Sequence, residues 1–351
     1  MSRLLLAADE LTNSYIDERV KLLIPQFEAL APYKITDRKK GKDGLTGWEQ
    51  LASQEVRFLK TTYPDGKAEG EKTYSTAYRQ SQALKKALKA VTADKLQDPI
   101  VINQVQTIIK NFSLAVTFLF SEYKALSNEN YKDKVDERSS EENRIEIDLT
   151  NSLKYSHSIL TALKSGDKEI NWLDVSCAIA LATGRRMAEV HLSATFKKID
   201  TYSVEFTGQL KGKSRKVKVA DKAVKLQDMA FVIPTLLPAD LVCFGLDWLG
   251  NPNNFPDRNS KRFDKDDDIE RVNKRFSKTL NLQCKEWDIF PEDERTYHKF
   301  RAAYLRASCI TDNVKDQDFM KYAKKILIDN DEKTINSYIR YEIKPGTLTR
   351  I

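Results

Sequence analysis

Apolar residues recur through the first 127 positions at intervals of three and four. From Asp9 onward, Ile16, Val20, Leu23, Ile24 and Phe27 fall on one face of a helical wheel, the period of an amphipathic helix. Trp48, Leu51, Val56 and Leu59 repeat the pattern and stop at Pro64-Asp65-Gly66, a turn signal. The spacing predicts a Lys-rich helix over 76–91. A more apolar helix over 99–126 runs through Val105, Ile108, Ile109, Leu114, Val116 and Phe118. The stretch 128–144 (NENYKDKVDERSSEENR) is highly charged and has no sustained apolar stripe. It reads as an interdomain linker or as a solvated helix. No internal repeat is present.

The pattern changes beyond 145. Ile159, Leu160 and Leu163 mark one helix, and a second is predicted over 172–190. Tyr202, Val204 and Phe206 then alternate, Gly208-Gln209 breaks the run, and Val217 and Val219 alternate again. That is the signature of a β-hairpin or small meander. A polar, Pro/Asn-rich loop over 250–268 follows, and helices fill most of the remainder. The predicted fold class is α+β and mostly α: an all-helical domain over 1–127, the charged linker over 128–144, and a mixed domain over 145–351 with a small antiparallel sheet.

Composition narrows the function classes. Of 351 residues, 31% are charged and 41% hydrophobic, the balance of a soluble globular chain. Fifty-eight basic residues against 51 acidic ones leave a net charge of +7, which permits a polyanionic partner without requiring one. No apolar run approaches the roughly 18 residues that span a bilayer, so no membrane partner is expected. The apolar core after Met1-Ser2-Arg3 is too short for a secretory signal. Cys177, Cys243, Cys284 and Cys309 show no CxxC spacing and read as reduced thiols of a cytoplasmic protein. Three histidines (His157, His191 and His298) argue against a His-rich metal site. Asp264, Asp266, Asp267 and Asp268 suit the N-terminus of a following helix better than a Mg²⁺ nuclease site. No metal and no cofactor is expected.

Four separated segments carry the candidate chemistry: Ala182-Thr183-Gly184-Arg185-Arg186-Met187-Ala188-Glu189, Val204-Glu205-Phe206-Thr207-Gly208-Gln209-Leu210-Lys211, Thr296-Tyr297-His298-Lys299-Phe300-Arg301 with Ala302-Ala303-Tyr304 after it, and Leu327 to Tyr338. In order they supply Arg, Lys, His-x-x-Arg and Tyr. Two guanidinium forks can hold the nonbridging oxygens of a phosphodiester and tighten as charge builds on them. A phenol can attack phosphorus. Its ordinary pKa is about 10, so nearby cations must favour the phenolate. A lysine on a hairpin can protonate the departing 5′ oxygen. A phosphotyrosine link would conserve bond energy, so rejoining needs neither ATP nor metal.

These segments resemble the telomere resolvases (protelomerases) and, more distantly, the tyrosine recombinases, over roughly residues 144–343. The pattern TG-x-R-x-x-E appears as Thr183, Gly184, Arg186 and Glu189, which puts the first catalytic arginine at Arg186. GQLK puts the catalytic lysine at Lys211. His298 and Arg301 match the box of the second arginine, and Tyr338 matches the nucleophile, with Tyr341 the first alternative. Where the family usually has His, nine residues before that tyrosine, this chain has Asp329. Arg185 either supports the site or contacts a phosphate. With Lys213, Arg215 and Lys216 on the basic hairpin it makes up the expected DNA-binding set. Glu189 and Tyr304 are expected as structural supports. Thirteen residues follow Tyr338, so the extra C-terminal DNA-binding domain of larger members is either missing or lies outside this sequence.

The resemblance implies a catalytic domain over 145–351 and a helical DNA-clamping domain over 1–127. Within the clamping domain, Arg38, Lys39, Lys40, Lys42, Lys85, Lys86 and Lys89 are candidates for backbone contacts. It implies a homodimer on palindromic double-stranded DNA, a 3′-phosphotyrosine intermediate and closed hairpin ends, in the cytoplasm of a bacterial or phage-infected cell. A site-specific tyrosine recombinase or integrase would use the same residues on two duplexes. A DNA-binding relative with impaired catalysis is kept open by Asp329.

Overall fold

The computed structural model describes residues 2–32, 44–64, 74–212, 215–219, 222–251, 254 and 269–346. The chain forms two compact units, Met1–Tyr131 and Lys132–Ile351.

The first unit is helical. Helices α1 (Ser2–Leu30), α2 (Gly47–Thr62), α3 (Ser75–Lys89) and α4 (Ile102–Leu119) enclose a core built around Phe27, Leu59, Leu84 and Phe112. Helix α2 starts where Thr46 and Glu49 form a capping box, the Thr46 N–H donating to Glu49 Oε2 at 2.7 Å and so satisfying an otherwise unpaired donor. Helix α4 buries Val105, Ile108, Ile109, Phe112 and Val116 on one stripe. The rings of Phe112 and Phe27 meet edge to face at 5.2 Å. Burying one such side chain contributes roughly 2–3 kcal/mol.

The helix predicted over 99–126 is not continuous. Pro99–Val101 is a 3₁₀ turn, with Asp98 accepting from the Ile100 N–H. Phe120, at φ −102° and ψ 5°, ends α4 before α5 (Ser121–Ser139) begins. Helix α5 runs through most of the charged stretch, followed by a 3₁₀ turn at Glu141–Asn143. The solvated-helix alternative therefore describes it. Its Lys, Glu and Arg residues have good helix propensity although they supply no apolar stripe.

The second unit is organised by one buried helix. After β1 (Ile145–Ile147) and α6 (Thr150–Lys164) comes α7 (Trp172–Thr183), buried from Asp174 through Thr183. A helix apolar on nearly all sides belongs in the centre of a domain. The continuation to 190 predicted from sequence does not occur. Gly184 caps α7 in the left-handed region at φ +65°, and a Cβ there would lie 2.2 Å from Tyr304 Cδ1. Only glycine permits both the reversal and the approach of that ring. The chain resumes as a π-turn over Glu189–Ser193.

Strands β2 (Thr195–Asp200) and β3 (Ser203–Thr207) pair antiparallel, with Phe196 opposite Phe206. A separate hairpin joins β4 (Lys216–Val219) to β5 (Lys222–Lys225). Strand β6 (Phe231–Pro234) returns to β3, giving the order β2-β3-β6, with Val204, Phe206 and Ile233 fully buried on the inner face. Helices α8 (Ala239–Gly250), α9 (Ile269–Gln283), α10 (Lys299–Thr311), α11 (Phe319–Leu327) and α12 (Glu332–Asn336) complete the unit. Finally β7 (Tyr341–Ile343) pairs in parallel with β1, Ile145 opposite Tyr341 and Ile147 opposite Ile343. This α+β, mostly α architecture with a small antiparallel sheet is the predicted fold class. Among the described residues no helix is long and apolar enough to cross a membrane.

Candidate active site

The end of α7 supplies the first cation. Beyond Gly184, the Arg186 N–H donates to Glu189 Oε2 at 3.0 Å, and its Nη1 reaches Glu189 Oε1 at 3.1 Å. Its Nη2 donates to Asp329 Oδ2 at 2.9 Å. Glu189 is fully buried. Burial pushes its carboxyl up, but Arg186, Arg185 and Arg301 outweigh that and hold it below the ordinary carboxylate range. It also accepts from the Leu210 N–H at 3.4 Å, so one carboxylate ties the arginine to the segment that carries the lysine.

That segment leaves β3 through Gly208, at φ +99°. The Gly208 N–H bonds Gln227 O at 3.1 Å, its carbonyl accepts from Ser193 Oγ at 2.5 Å, and Gln209 Nε2 donates to Ile328 O at 3.2 Å. Lys211 follows directly. Its Nζ lies 2.9 and 2.8 Å from the two oxygens of Asp329, 3.3 Å from Thr334 Oγ1 and 3.8 Å from Asp331 Oδ2.

Asp329 is 3% exposed. It is aimed inward because Ile328 ends α11 in the left-handed region at φ +54°, a conformation costing about 1–2 kcal/mol for a residue with a Cβ. The Asp331 N–H donates to its Oδ1 at 3.2 Å, and α12 then leads to Tyr338.

Arg301, in the first turns of α10, is buried and donates to Gly184 O at 2.5 Å and Leu327 O at 2.7 Å. Its Nε has no partner among the described residues, and its guanidinium carbon lies 6.0 Å from the centre of the Tyr338 ring. Burial first, then Arg186 and Arg185, push its pKa down to about 9, so it is cationic at neutral pH. Arg185 behaves in parallel. It donates to Thr183 O at 3.1 Å and Ile326 O at 2.6 Å, and stacks on Phe206 at 4.7 Å. The two guanidiniums thus bind carbonyls at the C-termini of α7 and α11, the negative ends of both helices. At 1% exposure Arg185 braces the two helix ends, which is the supporting one of the two roles expected for it.

Tyr338 Oη lies 3.1 Å from His298 Nε2. Burial, followed by Arg301, Arg186, Lys299 and Lys211, lowers the His298 pKa to about 4, so the imidazole is neutral at pH 7 and can accept from the phenol. The rival tyrosines are committed elsewhere. Tyr341 donates to Glu294, Tyr304 donates to Pro234 O at 2.8 Å, and Tyr297 bonds Ser176 inside the core. Arg215 and Lys216 are exposed at the hairpin, while Lys213, the 38–42 loop and Asp264 to Asp268 lie outside the described residues.

A pH prediction follows from His298. Its folded pKa lies below the ordinary 6.5, so the unfolded chain binds the proton first. Stability present above pH 6.5 is lost as pH falls toward 4, by up to about 3 kcal/mol. Urea unfolding from pH 7.5 to 4.5 is expected to show that slope, and His298→Gln to flatten it. Equal slopes in both proteins would contradict the assignment.

Arg186, Arg185, Arg301 and Lys211 face two buried carboxylates, Glu189 and Asp329, so the centre carries excess positive charge suited to a phosphodiester. Sequence reading had cast Glu189 as a support. Its spacing three residues after Arg186 signals the ion pair, but its bond to the hairpin has no sequence signal.

Three solved structures align over most of the chain. One is a protelomerase TelA variant complexed with a DNA hairpin product (TM-score 0.61, 17% identity, 93% of this chain and 88% of that one). The second is protelomerase TelK complexed with substrate DNA (0.51, 19%, 96% and 60%). The third is protelomerase TelA covalently complexed with substrate DNA (0.50, 16%, 83% and 95%). At these identities the likeness establishes the fold. No curated protein matches the chain. The family profile described as the telomere resolvase ResT/TelK catalytic domain matches residues 143–341, more than half of the sequence and every residue of the site, and the chain belongs to that family.

Proposed function

We propose that this protein is a telomere resolvase that cleaves and rejoins palindromic double-stranded DNA and leaves covalently closed hairpin ends. The observation that carries the reading is the Tyr338 hydroxyl, hydrogen-bonded to His298 within a cluster that includes Arg301, Arg186 and Lys211.

Arg186 and Arg301 bind the nonbridging oxygens of the scissile phosphate, and their hold strengthens as charge accumulates in the transition state. The phosphate's negative charge offsets the cations that depress His298. The imidazole becomes more basic and takes the phenol proton as the Tyr338 oxygen bonds to phosphorus. The bond from phosphorus to O5′ breaks, its electron pair stays on oxygen, and Lys211 supplies the proton. In reverse, the 5′-hydroxyl of the opposite strand gives its proton to Lys211, attacks the 3′-phosphotyrosine and expels Tyr338. Two protomers doing this on one palindrome yield two hairpins.

Arg215 and Lys216, exposed at the hairpin, are suited to contact the DNA backbone, and Lys213 is proposed with them from the sequence alone. In the helical unit, Lys85, Lys86, Lys89 and Lys110 line a groove of about 750 Å³ between α3 and α4, which suits it to a backbone-clamping role.

Incubating the protein with candidate palindromic duplexes and running a denaturing gel tests the reading. Hairpin products are expected. Four-way junctions would assign a recombinase instead, and salt-sensitive binding without any covalent species would assign a DNA-binding relative that lacks catalysis.

A further inference from the structure

Lys211 stands at the start of a basic loop, its side chain 43% exposed. A lysine so placed has many rotamers available, and ordering its long stem costs conformational entropy. What holds it is Asp329. Both carboxylate oxygens accept from Nζ, and Oδ2 accepts from Arg186 Nη2 as well. Because ammonium and guanidinium share one oxygen, they can be no farther apart than those two contact lengths combined. Asp329 is itself fixed by the Asp331 N–H, by the left-handed turn at Ile328 and by burial. A buried, backbone-anchored carboxylate is a rigid strut between the exposed lysine and Arg186.

We infer that Asp329 is a positioning residue that holds the Lys211 ammonium beside Arg186, on the leaving-group side of the scissile phosphate. The inference rests on the resolvase reading and on Lys211 as proton donor to O5′. Asp329 forms and breaks no bond in the reaction. Its effect passes through Lys211, which gives one proton to the departing O5′ and takes one from the incoming 5′-hydroxyl. A residue that acts this way matters only when the leaving group needs a proton. Replacing O5′ at the cleavage site with sulfur removes that need, because a thiolate departs with its electron pair unprotonated.

The test is single-turnover cleavage of one palindromic duplex in two forms, all-oxygen and 5′-bridging phosphorothiolate, by the full chain and its Asp329→Asn, Asp329→Ala and Lys211→Ala variants. The amide of Asp329→Asn is isosteric but carries no charge and turns one of the two accepting oxygens into a donor facing the cations, and folding is checked by circular dichroism. Asp329→Asn is expected to slow the oxygen substrate about 10²-fold, the scale of general acid catalysis, and to leave the sulfur substrate within about threefold of the unmodified protein. Asp329→Ala should follow the same pattern, and adding it to Lys211→Ala should cost nothing further. Equal losses on both substrates for the Asp329 variants, with Lys211→Ala still rescued by sulfur, would overturn the positioning role alone. Failure of sulfur to rescue Lys211→Ala would overturn it together with the proton-donor assignment. If the unmodified protein cleaved neither duplex, the resolvase reading would fall with it.

Discussion

Tyr338→Phe is expected to abolish strand cleavage while leaving the fold and DNA binding in place. Tyr338 is only 3% exposed, and phenylalanine fills the same volume, so packing is preserved. What disappears is one oxygen and its hydrogen bond to His298, a stability change of about 1 kcal/mol. Loss of a covalent nucleophile lowers the rate by a factor on the order of 10⁶, far beyond what a packing defect produces. Binding by gel shift should keep the salt dependence of the unmodified protein, since counterion release depends on the lysines and arginines. Residual covalent adduct in this variant, visible as a DNA-linked band after denaturation, would mean that another residue attacks.

The second large effect is expected at Gly208→Ala, a change that removes no functional group. At φ +99° an added Cβ would lie 2.0 Å from the Ser193 carbonyl oxygen and 2.5 Å from its carbon. The obstacle is backbone and cannot rotate away. Left-handed strain and overlap together should destabilise the protein by about 2–4 kcal/mol. The relief available is to move the segment outward, breaking the bonds from Ser193 Oγ and to Gln227 O. Lys211, three residues on, then leaves Asp329. A displacement of about 1 Å in catalytic geometry costs on the order of 10²-fold in rate, so cleavage should fall by at least that factor at temperatures where the variant remains folded. Cleavage at the unmodified rate, measured well below the melting temperature, would contradict the role assigned to this turn.

Elements that carry their own amphipathic period were legible from sequence. Helix α2 is one, since Trp48, Val56 and Leu59 mark its buried face and Pro64 its end. The break after Thr183 was not legible, because the Met187 to Val190 stretch continues an apolar pattern. The reversal at Gly184 is decided by the Tyr304 ring, distant in sequence. Strands β1 and β7 were missed for a related reason. Each has three residues, below the length at which alternation can be read, and each finds its partner at the far end of the second unit.

In the site, residue types pointed to phosphodiester chemistry and the resemblance to telomere resolvases singled out Arg186, Lys211, His298, Arg301 and Tyr338, whose side chains the fold places near one another. Only the resemblance to the TG-x-R-x-x-E pattern separates Arg186 from Arg185 in the sequence. They are adjacent and chemically identical, and only the turn after Gly184 directs one to the helix C-termini and the other to Asp329. In the sequence Asp329 is legible only as a departure from the family's usual His, whereas the fold uses it as an acceptor for two cations.

The account stands on one chemical event, attack of a phenol oxygen on a phosphate held by separated cations. Its most direct measurement is to trap the covalent intermediate of the unmodified protein on a nicked suicide duplex, digest it with protease and identify the DNA-linked residue by mass spectrometry. The account predicts a single adduct, a 3′-phosphoryl group on Tyr338. An adduct on Tyr341, Tyr304 or Tyr297, or a linkage to a residue other than tyrosine, would contradict it.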